Sequence, residues 1–272
     1  MHSSEKKRFA GFPPPLLGPV PLRLRVLHAR DGHAVLEKPA GVPWERSALD
    51  APSGVVEALR EQLDAGKPEL LALGLCRPAS VWPLETELAG PGLLASSGEA
   101  LARWRNAFGS EQLRFYFEFL AADAGLDDSF ECSLPVAQHV GKPVALVSRN
   151  TGKKSMTFFR RVQRAGDWSW WEAVSTYPRY HQVRLHAAES GLRIVGESLY
   201  ADGGVLTLAG LLPRHRLNKG DDRPLHDGIC LRLASVDCTG AGVDGWTTLT
   251  ASEPEKWTAL RKRQAAQCGR QA

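Results

Sequence analysis

The densest run of chemically capable side chains is Arg179-Tyr180-His181-Gln182-Val183-Arg184-Leu185-His186. Its histidines stand five residues apart, whereas two metal-binding histidines on one helical face would stand four apart, so no metal site is expected there. Tyr116 is the next candidate. It lies in the strand-like run Arg114 to Leu120, on the face opposite Phe115, Phe117 and Phe119, and so is set apart from the core-forming aromatics. Lys38 opens the turn Lys38-Pro39-Ala40-Gly41, and Glu85 lies in an uninterrupted segment from Leu84 to Ala95. The cysteines (Cys76, Cys132, Cys230, Cys238, Cys268) are odd in number and form no C-x-x-C pair, which makes them reduced, small hydrophobes rather than zinc ligands or a disulfide framework. No phosphate-cradling G-x-x-x-x-G-K-[ST], no G-x-G-x-x-G after a strand and no G-x-S-x-G nucleophile elbow occurs. Trp168, Trp170 and Trp171 read as core aromatics of a half-buried strand.

These residues need elements to hold them. The chain has 272 residues, of which 43% are hydrophobic and 24% charged, the balance of a globular protein with a sizeable core. Its net charge of +4 permits an anionic partner without requiring one. No run approaches the ~20 apolar residues that cross a bilayer, and the charged opening residues do not read as a secretory signal, so a cytoplasmic protein is expected. Residues 1–21, with Pro13-Pro14-Pro15, Pro19 and Pro21, read as a Pro-rich tail. Strands are expected at 22–26, 34–36, 114–120, 144–148, 156–162, 168–174 and 229–236. Helices are expected from a Ser53 cap to Gly66, from Gly98 to Phe108, over 182–190, and after Ser252-x-x-Glu255. The class is α+β with a mixed, largely antiparallel sheet flanked by helices. Residues 22–250 form one continuous domain and 251–272 a basic C-terminal helix or tail.

Four stretches, in order, resemble the catalytic domain of the RluA-type pseudouridine synthases. Leu36 to Pro43 is similar to that family's strand ending in K-P-x-G, and Leu84 to Ala95 occupies the place of R-L-D-x-x-T-S-G-L-L-L-x-A. Arg114 to Leu120 matches K-x-Y-x-A-x-V. Arg179 to His186, with Gly191 and Ile194 to Tyr200, looks like G-R-T-H-Q-I-R-x-H…G-x-P-I-x-G-D-x-x-Y. The resemblance covers residues 22–237 and implies the pseudouridine synthase fold and an RNA uridine substrate, with no cofactor and no metal. It puts Glu85 at the place of the family's catalytic aspartate, Tyr116 at that of the tyrosine packed on the base, and Arg184 at that of the arginine that keeps the carboxylate ionised. Lys38, Arg114, Arg179, His181 and Gln182 fall at substrate-binding or bracing positions. The active-site segment departs from the pattern at Glu85 itself, at Leu88 and Ala89 for Thr-Ser, and at Pro91 and Gly92 for leucines. Glu118 replaces a small residue beside Tyr116.

The expected function is therefore an RNA pseudouridine synthase, an isomerase acting on rRNA or tRNA as a monomer. The alternative is a catalytically inactive RNA-binding protein on the same fold, using the basic segments Lys142 to Lys154, Arg160-Arg161-Arg164 and Arg214 to Lys219.

Overall fold

The computed structural model describes residues 8–46, 53–122, 125–165, 168–207, 224–241 and 248–268. The chain divides into two compact units, residues 1–114 with 233–252, and residues 115–232 with 253–272, where one continuous domain was expected.

The first unit begins with β1 (Phe9–Phe12), β2 (Leu22–Arg30) and β3 (His33–Lys38), followed by α1 (Val55–Asp64) and α2 (Pro68–Leu71). It continues with β4 (Ala79–Ser80), β5 (Gly90–Ala95) and α3 (Gly98–Gly109). The strands form an antiparallel sheet in the order β1-β2-β3-β5-β4. β1 corrects the expectation of a tail: Ala10 and Phe12 point inward and are buried, and that burial fastens the segment to β2 despite the prolines that follow. Val55, Val56, Leu59 and Leu63 form the buried face of α1 as their spacing requires. The cap is Gly54 rather than Ser53, with the Glu57 carboxylate accepting the Gly54 N–H at 3.0 Å. In α3 the Ser97 hydroxyl accepts the Ala100 N–H, and Trp104 and Phe108 are buried.

The second unit opens with β6 (Arg114–Ala122), then β7 (Ser129–Cys132), the hairpin β8 (Val136–Gln138) and β9 (Ala145–Val147), and β10 (Thr157–Ala165). β11 (Trp168–Ser175), α4 (Gln182–Glu189) and β12 (Arg193–Ile194) follow. Its sheet runs antiparallel in the order β6-β11-β10-β7, with β12 on β6. β13 (Leu231–Asp237) leads back into the first unit and pairs there with β14 (Thr248–Thr250); α5 (Glu255–Cys268) returns to the second. Largely antiparallel sheets with a few helices make this an α+β fold, as the strand-rich reading expected.

Phe115, Phe117 and Phe119 are buried on one face of β6, as the alternation requires. On the other face a cluster of Leu120, Trp170, Val195, Leu206, Cys230, Trp257 and Leu260 packs α5 against the sheet. Cys132, Cys230 and Cys238 are buried free thiols, and burial pushes the last two thiols up, which leaves them inert. Among the described residues no helix is long and apolar enough to cross a membrane. The basic run Arg214 to Lys219 lies outside the described residues.

Candidate functional site

In the first unit the candidates gather around the end of β3. Lys38 is fully buried, and its ammonium donates to the carbonyls of Pro39 (3.0 Å), Val42 (2.8 Å) and Thr86 (3.1 Å). Gly41, at φ +81° in the left-handed region that glycine enters without strain, donates its N–H to the same Thr86 carbonyl at 2.8 Å. The loop between β4 and β5 is thus tied to the turn after β3 beside Glu85, while Leu84 and Leu88 anchor it in the core. Burial draws the Lys38 ammonium down to about 7, against the opposing pull of the Glu87 and Glu85 carboxylates. The structure thus places Lys38 with no exposed surface and its donors on three carbonyls that tie the turn to the loop. Glu85 itself is half-buried on that loop.

Two further residues of the segment from Leu84 to Ala95 are fixed by packing. Leu88 is buried in the core. Gly92 lies directly against the buried Trp44 indole, which fills the volume that any Cβ at 92 would need. Arg114, the first residue of β6, is exposed.

In the second unit Arg179, His181, Gln182 and Arg184 gather at the start of α4. Arg184 is buried and binds Glu197 bidentately, Nε to Oε2 at 2.7 Å and Nη2 to Oε1 at 3.0 Å. The carboxylate met by Arg184 within its unit is therefore Glu197. The Glu197 carboxylate is held below its usual range by Arg184 and by the Leu199 and Tyr200 N–H groups, in spite of burial. Arg184 Nη1 also donates to His181 Nε2 at 3.1 Å. A neutral imidazole has one N–H, so the proton sits on Nδ1 and is donated to the Tyr200 hydroxyl at 2.7 Å. Burial, then the neighbouring Arg184 cation, draws His181 down to about 3. Its backbone lies at φ +54°, a left-handed angle uncommon outside glycine, immediately before α4 begins.

Gln182 is also fully buried. Its amide accepts the Arg179 N–H at 2.9 Å and donates to the Met156 carbonyl (2.9 Å), the Thr157 hydroxyl (3.0 Å) and the Ser175 hydroxyl (3.1 Å). Arg179 stacks on the exposed Tyr177 ring at 4.2 Å, and its Nε is buried without a hydrogen-bond partner. His186 bonds Thr157 and the Leu134 carbonyl, so the two histidines of the run enter separate networks. Tyr116 is half-buried on β6, paired in register with Val174. The run Arg160-Arg161-Arg164 is taken up within the protein. Arg161 and Arg164 both bind Asp128, and Arg160 binds Glu172.

Glu197 and Tyr200 were not among the expected functional residues. Their signal was present in Gly196-Glu197-Ser198-Leu199-Tyr200, within the motif that carried Arg184, but the hydrogen bonds that join them to the helix become visible only in three dimensions.

No protein-family model matches the chain. An uncharacterised RNA pseudouridine synthase of Synechocystis is 27% identical over 188 residues, 68% of this chain and 61% of that protein. The ribosomal large subunit pseudouridine synthase D of Zymomonas mobilis is 25% identical over 183 residues, 67% of this chain and 57% of that protein. The chain thus spans about three fifths of the length of the curated relatives it matches. Among solved structures, human RNA pseudouridylate synthase domain containing 4 superposes with a TM-score of 0.64 at 15% identity, covering 88% of this chain and 92% of that one. Human RNA pseudouridylate synthase domain containing 1 gives 0.53 at 14% identity.

Proposed function

We propose that this chain, which carries the pseudouridine synthase fold and is related in sequence to RNA pseudouridine synthases, isomerises uridine to pseudouridine in structured RNA, rRNA or tRNA. The observation that supports this most directly is the retention of a carboxylate, a tyrosine and an arginine at the three matching positions, Glu85, Tyr116 and Arg184.

The reaction breaks the bond from C1′ to N1 of the base, turns the base, and forms a bond from C1′ to C5. The C5 proton leaves and N1 ends protonated, so no redox partner or cofactor is consumed. The target uridine must first be turned out of its stack. Glu85 supplies the carboxylate that attacks C1′ or steadies a cationic sugar. Its extra methylene relative to aspartate demands a fixed backbone, because a displacement of about 1 Å can cost ~10²-fold in rate. Lys38 meets that demand as a positioning residue, through the Thr86 carbonyl next in the chain. Tyr116 packs on the base and takes part in proton handling. Arg184, aligned by Glu197 and His181, supplies the guanidinium that favours an ionised carboxylate. Arg179 and the exposed Arg114 contact RNA. We place the protein in the cytoplasm, acting as a monomer.

The test incubates the purified protein with rRNA and tRNA from a host lacking the gene, and reads pseudouridine by chemical modification and sequencing. A new pseudouridine is expected with the wild type and none with Glu85→Gln, at unchanged RNA binding. Equal product from Glu85→Gln would remove Glu85 from the chemistry. No product from the wild type on any RNA would leave the inactive RNA-binding protein as the better reading.

A further inference from the structure

On the face of the second unit's sheet that carries Leu120 and Trp170, α5 covers one end, and at the other end Tyr116 and Val174 are half-buried. There the register places Tyr116, Val174 and Phe158 in one row across β6, β11 and β10. With strands ~4.8 Å apart, Phe158 lies about 10 Å from Tyr116 on the same face. Phe158, the second residue of β10, is 38% exposed, a large apolar ring facing solvent. Directly upstream on β10's path, Met156 is 49% exposed. Gln182 ties the Met156 carbonyl to the backbone of Arg179, whose guanidinium stacks on Tyr177.

Of the carboxylates on this face, Glu172 is paired with Arg160 at 2.9 Å and Glu118 with Arg232 at 2.8 Å, while Glu131, in register with Phe158 on β7, is exposed. Lys153 and Lys154 are exposed and make no ion pair among the described residues, and neither does Arg179. Cations with open valence beside flat or polarisable apolar side chains fit a ligand with both phosphates and base faces. A protein partner would supply the base-like faces without the phosphates.

We propose that Phe158 and Met156, with Lys154 and Arg179, form a strip that binds the single-stranded RNA flanking the target uridine, Phe158 stacking a neighbouring base. The inference rests on the RNA reading above and extends it to a specific surface. Phe158 sets which unpaired segment can lie beside Tyr116, and is a specificity residue rather than a catalytic one.

The probe is a fluorescein-labelled 15-nucleotide oligouridylate, titrated by anisotropy at several salt concentrations. Phe158→Ala is expected to raise Kd about tenfold, within the range of one lost base stack, with the salt slope unchanged. Phe158→Trp, which keeps a ring, is expected to bind like the wild type. Lys154→Ala is expected to flatten the slope of log K against log salt by about 0.7, one single-strand phosphate contact. Wild-type Kd in Phe158→Ala, or equal loss in Phe158→Trp and Phe158→Ala, overturns the proposal. The same preparations are assayed for pseudouridine. Product from the wild type with Kd unmoved in Phe158→Ala removes the strip and keeps the enzyme. Phe158-dependent binding without product from any RNA keeps the strip and removes the enzyme.

Discussion

A neutral imidazole is fixed at position 181 by three contacts acting together: the Arg184 cation on Nε2, the Tyr200 hydroxyl on Nδ1, and the stacked Tyr180 ring at 3.8 Å. Its folded pKa, about 3, lies below the ~6.5 of an unfolded histidine. Between those values the unfolded chain binds a proton that the folded chain refuses, so stability is lost as pH falls through the window. Urea unfolding at pH 6.5 and pH 5, above the range where most carboxylates titrate, should show this loss in the wild type. His181→Asn should lower the slope by up to one proton, ~1.4 kcal/mol per pH unit. His186, also lowered by burial, contributes to both proteins and cancels. An identical slope in the variant would place the excluded proton elsewhere. The left-handed backbone at His181 could not be read from the sequence, because histidine has no local preference strong enough to announce it; the packing around α4 imposes it.

At the scale of elements, α4 is joined to the turn at residues 195–200 by one buried ion pair, Arg184 with Glu197. Removing one member of such a pair leaves an uncompensated charge in a dry place, whereas replacing both with apolar groups removes the problem along with the interaction. Glu197→Ala is therefore expected to cost about 3–5 kcal/mol in denaturant unfolding. The double variant Arg184→Met with Glu197→Leu should recover most of that stability while forming no pseudouridine. A double variant that regains stability and keeps turnover would show that the guanidinium is a structural strut with no part in the reaction. Element positions were largely legible beforehand. The alternation around Phe115, Phe117 and Phe119 located β6, and the Gly-bounded runs located α1 and α3. β1 was not legible, since four residues before a proline cluster carry too little periodicity, and only pairing with β2 makes them a strand.

At the scale of the whole molecule, the chain enters the second unit twice, and α5 is the part that arrives last. Trp257 carries it: the indole packs 5.2 Å from Trp170, and Arg261 stacks on Trp170 at 3.9 Å. A fully buried tryptophan cut to alanine leaves a cavity that typically costs about 3–5 kcal/mol. Trp257→Ala should lower the denaturation midpoint by that equivalent, with little change in the slope against denaturant. A variant as stable as the wild type would show that α5 is dispensable to the second unit. From the sequence a basic helix is expected here, outside the domain. Its mean composition is polar, and the two large apolar side chains that seat it, Trp257 and Leu260, are too few to mark a buried face by periodicity.

The sequence by itself determined the class of fold, most of the strands and helices, and the residue types at the proposed site positions. Each of these depends on local patterning or on short motifs that survive as contiguous residues, as in Lys38 to Gly41 and Arg179 to His186. Only the tertiary structure decided what those residues touch. Lys38 and Gln182 are buried with their donors on acceptors of the fold, Arg184 meets Glu197, Gly92 leaves its space to Trp44, and Phe158 is exposed in the row of Tyr116. The physical reason is that burial and hydrogen-bond partners are set by segments far apart in the chain. A residue type declares what chemistry is available, while packing declares which of it is already spent within the fold.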